Sequence, residues 1–249
     1  MPAYNAAATI LESINSVTAQ TYQNWELIII DDGSTDDTYD IVRKAAIAAA
    51  PAKEDLRVRL ITNGKNLGVA SSRNIGLSQA LGEWVAFLDS DDLWMSTKLE
   101  RQLIFAEQTG AAITYTATAY IDRNGNPKSY VLPAKHELNL SGLLRRNIMT
   151  CSSVMVRKEH MQPFPEGFLH EDYAAWIGMV RKAGRAYGLN EPLTGYRISD
   201  TSRSYNRLRS GMMNFSTYRH VGYSAFTAAC MSARYAAHSI TKRLRIWYG

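Results

Sequence analysis

Two short apolar runs, each broken off by a cluster of aspartates, constrain this chain more than any other feature. Trp25 to Ile30 is almost continuously apolar and stops at Asp31-Asp32-Gly33-Ser34, and Trp84 to Leu88 stops in the same way at Asp89-Ser90-Asp91-Asp92. Short apolar runs ended by turn residues have the pattern of buried strands. Ahead of the first run, Ile10, Leu11, Ile14 and Val17 recur at helical spacing. A second helix is predicted from near Asp36 through Ile41 and Val42, then a strand over Arg57 to Ile61 and a helix over Ala70 to Ala80. Helices alternating with strands predict an α/β fold with a mainly parallel sheet whose ligands gather at the carboxyl ends of the strands, where both aspartate clusters fall.

Beyond Trp94 the pattern changes to α+β. Lys98 to Thr109 reads as a helix, Ala112 to Ile121 as a strand, and Asp122-Arg123-Asn124-Gly125-Asn126-Pro127 as a tight turn between antiparallel strands. The alanine-rich 45–52 segment reads as a helix end and surface loop. From His220 onward helical spacing returns, with Tyr223, Phe226, Cys230 and Met231 on one side, followed by Lys242, Arg243 and Arg245. The 249 residues, 46% of them hydrophobic, suffice for one catalytic domain with an appendage. The expected division is a domain over 1–205, with a nucleotide-binding half 1–94 and an acceptor half 95–205, and a basic helical extension over 206–249.

Several classes are disfavoured. The net charge of +5, with its basic terminus, suits an anionic membrane face better than sequence-specific nucleic-acid binding. Cys151 and Cys230 lack CxxC spacing, so free thiols in a reducing compartment are expected rather than a zinc site or a disulfide framework. No apolar stretch has the length of a membrane span and no signal-peptide order opens the chain, which predicts a cytoplasmic enzyme, peripheral at the membrane. A dinucleotide-binding Gly-x-Gly-x-x-Gly is absent, as is a glycine-rich phosphate loop. Asp31-Asp32-Gly33-Ser34 is out of register for a phosphatase-type Asp-x-Asp-Gly-Thr, because no aspartate stands two residues before Asp32.

Three carboxylates within Asp89-Ser90-Asp91-Asp92 repel one another unless a cation neutralises them. Mn²⁺ or Mg²⁺ fits, since such hard cations take oxygen ligands and complete their shells with water and phosphate. An acidic helix cap is the plainer alternative. The second cluster favours the metal, because a capping turn needs only one such side chain. A buried carboxylate at Asp32 can accept the ring N–H of a base, whereas Ser34, Thr35 and Asp36 suit turn and cap roles. In Asn66-Leu67-Gly68-Val69-Ala70-Ser71-Ser72-Arg73-Asn74 a glycine stands where a loop enters a helix, with Arg73 one turn in and within reach of a diphosphate.

Together, Pro2-Ala3-Tyr4-Asn5, Asp31 to Asp36, Gly68 to Asn74 and Asp89 to Asp92 resemble the signature of family 2 glycosyltransferases over roughly residues 2–200. Ala186 to Glu191 with Tyr196-Arg197 is similar to the teichuronic-acid and O-antigen type of bacterial surface-polysaccharide transferase. The resemblance implies a GT-A fold with a Rossmann-like sheet flanked by helices, a nucleoside-diphosphate sugar donor with UDP favoured, a glycan or lipid-linked glycan acceptor, and inversion at the anomeric carbon. It implies that Asp32 meets the base, Asp89 the ribose or metal and Asp91 the metal, with Pro2, Tyr4, Ser90 and Arg73 completing the donor site. Glu171-Asp172 stands where the family has its catalytic pair, which makes Asp172 the base and Glu171 its neighbour. His170 reads as structural or acceptor-side, and Ser152 and Ser153 receive no catalytic role. The segment Tyr196 to Ser204, polar and rich in turn formers, is expected to be either a loop closing over the donor or an ordinary mobile connection. Family members have a complete strand before Pro-x-Tyr-Asn; here Pro2 follows Met1, so the first strand is expected to be missing, and a catalytically weak glycan-binding or scaffold protein is the alternative.

Overall fold

The computed structural model describes residues 1–49, 57–198 and 207–248, with side chains in the last segment described from 208 to 236. In chain order the elements are β1 (Pro2–Ala3), α1 (Ile10–Thr18), β2 (Leu27–Asp31), α2 (Thr38–Ala48), β3 (Val58–Thr62), α3 (Val69–Gln79), β4 (Trp84–Ala86), β5 (Leu93–Trp94) and α4 (Lys98–Thr109). They continue with β6 (Ile113–Ile121), β7 (Pro127–Leu132), β8 (Glu137–Asn139), α5 (Leu140–Arg145), β9 (Val154–Arg157), α6 (Glu171–Ala183), β10 (Arg185–Arg197), α7 (Arg207–His220) and α8 (Ala225–Tyr248).

The strands form two sheets, a parallel one in the order β1-β2-β3 and a mixed one in the order β4-β9-β6-β10-β5, with β7 beside β6 and β8 beside β10. Every residue of β2 is buried, as its uninterrupted Leu-Ile-Ile-Ile requires of a strand covered on both faces. Ile10, Ile14 and Val17 of α1 point into the same core as Ile29, Val42 and Val58. Burying each such side chain is worth about 1.5–3 kcal/mol, which is why helical spacing with β-branched residues still yields a helix here. Where the first strand is expected to be missing, a two-residue stub, Pro2–Ala3, pairs with Ile30 and Asp31. It is held by Ile30 N to Met1 O at 2.9 Å and Asp32 N to Ala3 O at 2.8 Å.

The long parallel pair β6 and β10 forms the middle of the second sheet, and its register shifts around Pro192, which has no N–H to donate. β6 turns into antiparallel β7 at Asp122 to Asn126, where the Asp122 carboxylate accepts from the backbone N–H of Asn124 and of Asn126, both at 2.9 Å. Over this sheet lies a second core of aromatic residues, in which Phe87, Phe164 and Trp176 meet edge to face at 5.3–5.6 Å. Tyr218 of α7 and Ala228 of α8 are buried in that same core. The 45–52 segment is helical as far as Ala48, with 50–52 outside the described residues, as are 199–204 of the expected closing loop. Among the described residues no helix is long and apolar enough to cross a membrane.

Candidate active site

Asp31 and Asp32 close β2, and Gly33 carries the chain away with φ +73, where an added Cβ would lie 2.7 Å from the backbone of Lys65. Glycine is therefore required for the Asp31 to Ser34 turn to pack on the loop leading to α3. The buried Asp32 carboxylate accepts from Leu67 N at 2.9 Å, Gly68 N at 2.8 Å and Asn63 Nδ2 at 2.8 Å. Burial pushes the Asp32 pKa up, but these donors outweigh it and hold the group below the usual carboxylate value. The Ser72 hydroxyl adds to them in holding the carboxylate ionised.

The Pro2 to Asn5 segment is tied to the same turn. Asn5 N donates to Ser34 Oγ at 3.0 Å, Thr35 N donates to Asn5 Oδ1 at 2.9 Å, and Ala7 N donates to Asp36 Oδ2 at 3.1 Å. Ser34, Thr35 and Asp36 thus fasten one loop to another, in keeping with their turn chemistry, while Tyr4 is left exposed.

Arg73 joins the remaining motifs. Its side chain is 4% exposed; Nη2 lies 2.7 Å from Asp89 Oδ1 and Nη1 lies 2.8 Å from Glu171 Oε1. The guanidinium rests 5.3 Å from the centre of the Phe164 ring, so the aromatic core forms its floor. Burial alone would lower its pKa, but Cys151, Asp89 and Glu171 outweigh burial and hold the arginine charged. Of these the carboxylates are the anions at neutral pH, because burial pushes the Cys151 thiol well up. Both ends of its fork are engaged by carboxylates, so that Arg73 ties Asp89 to Glu171.

Within Asp89 to Asp92 the side chains differ sharply. Asp92 is 1% exposed and accepts from Ser152 Oγ at 2.5 Å and Arg197 N at 2.9 Å. Burial first, then Asp91 and Asp89, push its pKa well above the usual range. Asp91 is exposed, and Asp89 is partly so with one oxygen given to Arg73. Ser90 is anchored through its carbonyl, which accepts from Thr9 Oγ1 at 2.9 Å. Among the described residues no three His, Cys, Asp or Glu side chains gather into a metal cage. An exposed Asp91 beside a half-engaged Asp89 instead fits a hard divalent cation held by one or two carboxylates and substrate phosphates.

Glu171 and Asp172 open α6. Glu171 is buried against Arg73, while Asp172 is half-buried and its Oδ1 accepts from Tyr173 N at 2.7 Å. Burial, then the neighbouring Glu171, raise the Asp172 pKa, with Arg73 and His170 pulling the other way. His170 faces α7: its backbone N–H donates to Thr217 Oγ1 at 3.0 Å and its Nε2 lies 3.4 Å from Ser210 O.

Two residues that support the site were not singled out for it. Ser152 donates to Asp92, accepts from Asp89 N at 3.1 Å, and its carbonyl receives Trp94 Nε1 at 2.8 Å. Arg197, expected in a mobile loop, ends β10 instead, and its guanidinium donates to Asp91 O at 2.7 Å, Arg123 O at 2.6 Å and Glu12 Oε2 at 2.6 Å. A buried hydroxyl within a strand-like run and an arginine at a strand end leave no distinctive sequence pattern.

The model of glycosyl transferase family 2 matches residues 1–171. The chain belongs to that family. TuaG of Bacillus subtilis, named for teichuronic acid biosynthesis, is 34% identical over 246 residues, covering 98% of this chain and 95% of TuaG. WfgD of Escherichia coli, a UDP-Glc:α-D-GlcNAc-diphosphoundecaprenol β-1,3-glucosyltransferase, is 35% identical over 84% of this chain and 79% of its own. Residues 1–349 of Staphylococcus aureus TarS in complex with UDP-GlcNAc superimpose with a TM-score of 0.70 at 20% identity, covering all of this chain and 74% of that one. This glycosyltransferase therefore has the GT-A fold, and the likeness to surface-polysaccharide enzymes read from its sequence extends over nearly its whole length.

Proposed function

We propose that this glycosyltransferase moves a sugar, with inversion, from a UDP-sugar to a hydroxyl of a lipid-linked or growing surface glycan. The observation that carries the reading is the buried chain Asp89–Arg73–Glu171, which links the proposed donor turn to the helix that bears Asp172. Relatives named for undecaprenyl-diphosphate-linked acceptors and for teichuronic acid support the acceptor class.

Asp172 takes the proton of the acceptor hydroxyl as that oxygen bonds to the anomeric carbon, and the bond from that carbon to the donor phosphate breaks on the opposite face. Its raised pKa makes Asp172 a stronger base than an ordinary aspartate. Asp32 meets the base of the nucleotide, and Pro2, Tyr4 and Ser90 line the donor side. Asp91, with the free oxygen of Asp89, would hold Mn²⁺ or Mg²⁺, which when bound supplies positive charge to the departing diphosphate. Arg73 and Glu171 act by positioning. The protein works at the cytoplasmic membrane face, where a lipid-linked acceptor is presented.

Calorimetric titration with UDP, with and without Mn²⁺, on the wild type and on Asp91→Ala tests the reading. Metal-dependent binding weakened at least about tenfold in the variant is expected. Absence of UDP, GDP and dTDP binding under metal-replete conditions would overturn it in favour of a scaffold.

A further inference from the structure

The outer face of α7 is apolar and uncovered. Leu208 is 83% exposed, Met212 62% and Phe215 36%, and their spacing puts them in one stripe that Arg219 continues. Beside the stripe Phe168 is 46% exposed, with the Arg209 guanidinium 5.8 Å from its ring centre. The opposite face of α7 is buried: Met213, Asn214, Thr217 and Tyr218 pack inward, and the Tyr218 hydroxyl lies 3.2 Å from that of Tyr173. The stripe therefore sits on the outside of the helix that braces His170 and the start of α6, next to Asp172.

Charge says what covers it. From Arg207 to Gly249 the sequence holds seven Lys and Arg and no Asp or Glu, more positive charge than the whole chain's net +5, so the rest of the molecule is net negative. Exposed apolar side chains on a helix in a segment without acidic residues match the chemistry of an anionic bilayer surface. A second copy of the chain is a poorer fit, because a two-fold interface would bring two such segments of like charge together.

We propose that the Leu208–Met212–Phe215 stripe, with Phe168 beside it, seats the protein on anionic lipid, and that it does so on the side where Asp172 receives the acceptor. The location beside the acceptor base rests on the reading of Asp172 above. The lipid contact does not, and is measured separately.

Co-sedimentation with vesicles of phosphatidylcholine alone, and of phosphatidylcholine mixed with phosphatidylglycerol, tests it on the full chain. The wild type binds the anionic vesicles, less as salt is added, and Leu208→Ser/Met212→Ser/Phe215→Ser binds them at least about tenfold more weakly with its melting temperature and UDP affinity unchanged. Equal binding of variant and wild type, no preference for phosphatidylglycerol, or no vesicle binding at all overturns the proposal. So does a wild-type dimer that the triple variant dissolves, which would make the stripe an interface between copies. Failure here with UDP binding intact leaves the transferase reading standing; loss of UDP binding with vesicle binding intact does the reverse.

Discussion

Arg73 Nη1 lies 2.8 Å from Glu171 Oε1 across 98 residues of sequence, and the same guanidinium holds Asp89. One buried cation thus sets the spacing between the acidic turn after β4 and the first turn of α6.

Removing that cation strands the buried Glu171 carboxylate and leaves the partly exposed Asp89 without its partner. Arg73→Met is expected to lower stability by about 3–5 kcal/mol, as read by denaturant unfolding. Arg73→Lys keeps the charge but not the fork, so kcat should fall by about tenfold or more with the donor KM nearly unchanged. A rise in donor KM with kcat preserved would show instead that the arginine binds diphosphate directly.

Asp172→Asn should reduce kcat by about 10²–10⁴-fold and leave UDP affinity intact. The base works only when ionised, so activity is lost as pH falls through its pKa. Because burial and then Glu171 raise that pKa, the acid limb of the wild-type profile should lie above the usual aspartate value of about 3.9. Glu171→Gln removes the neighbouring charge and should move the limb downward, which initial rates across a pH series would reveal. A limb that stays put counts against Asp172 as the titrating base.

Lys98 is wholly buried, donates to Gln102 Oε1 at 2.7 Å and lies 4.3 Å from the Trp94 ring centre, and burial lowers its pKa from 10.5 to about 7. Between those values the unfolded chain carries a proton that the folded chain lacks, so stability rises with pH across that window. The full cost, on the order of 5 kcal/mol, is present below the folded value and gone above the unfolded one. Lys98→Met should flatten this slope and, net of the unpaired Gln102 oxygen, stabilise the protein at neutral pH by roughly 1–3 kcal/mol. Melting temperatures from pH 6 to 10 (about the window set by the two pKa values) would show it, and an unchanged slope would dismiss the effect.

The sequence was most legible where chemistry and periodicity coincide. The strand before Asp31 and the turn at Asp122 to Asn126 both follow from local patterns. The carboxylate partners of Arg73 are not legible in the sequence, because an arginine one turn into a helix looks the same whether it faces a ligand or a carboxylate pair. Its burial is decided by Phe164 and Glu171, far away in the chain. Ser152 and Arg197 were missed for a related reason: their bonds to Asp92 cross 60 and 105 residues. Two-residue β5 and three-residue β8 are too short to show alternation, and their strand character comes from pairing with β10.

The three hydrogen bonds closed by Asp32 have a consequence for how the donor site fills. Leu67 N, Gly68 N and Asn63 Nδ2 already stabilise that carboxylate in its charged form and fix the loop ahead of α3. In the proposed donor site a base docking against Asp32 would therefore meet a finished wall, and little ordering entropy would be drawn from its binding energy on that side.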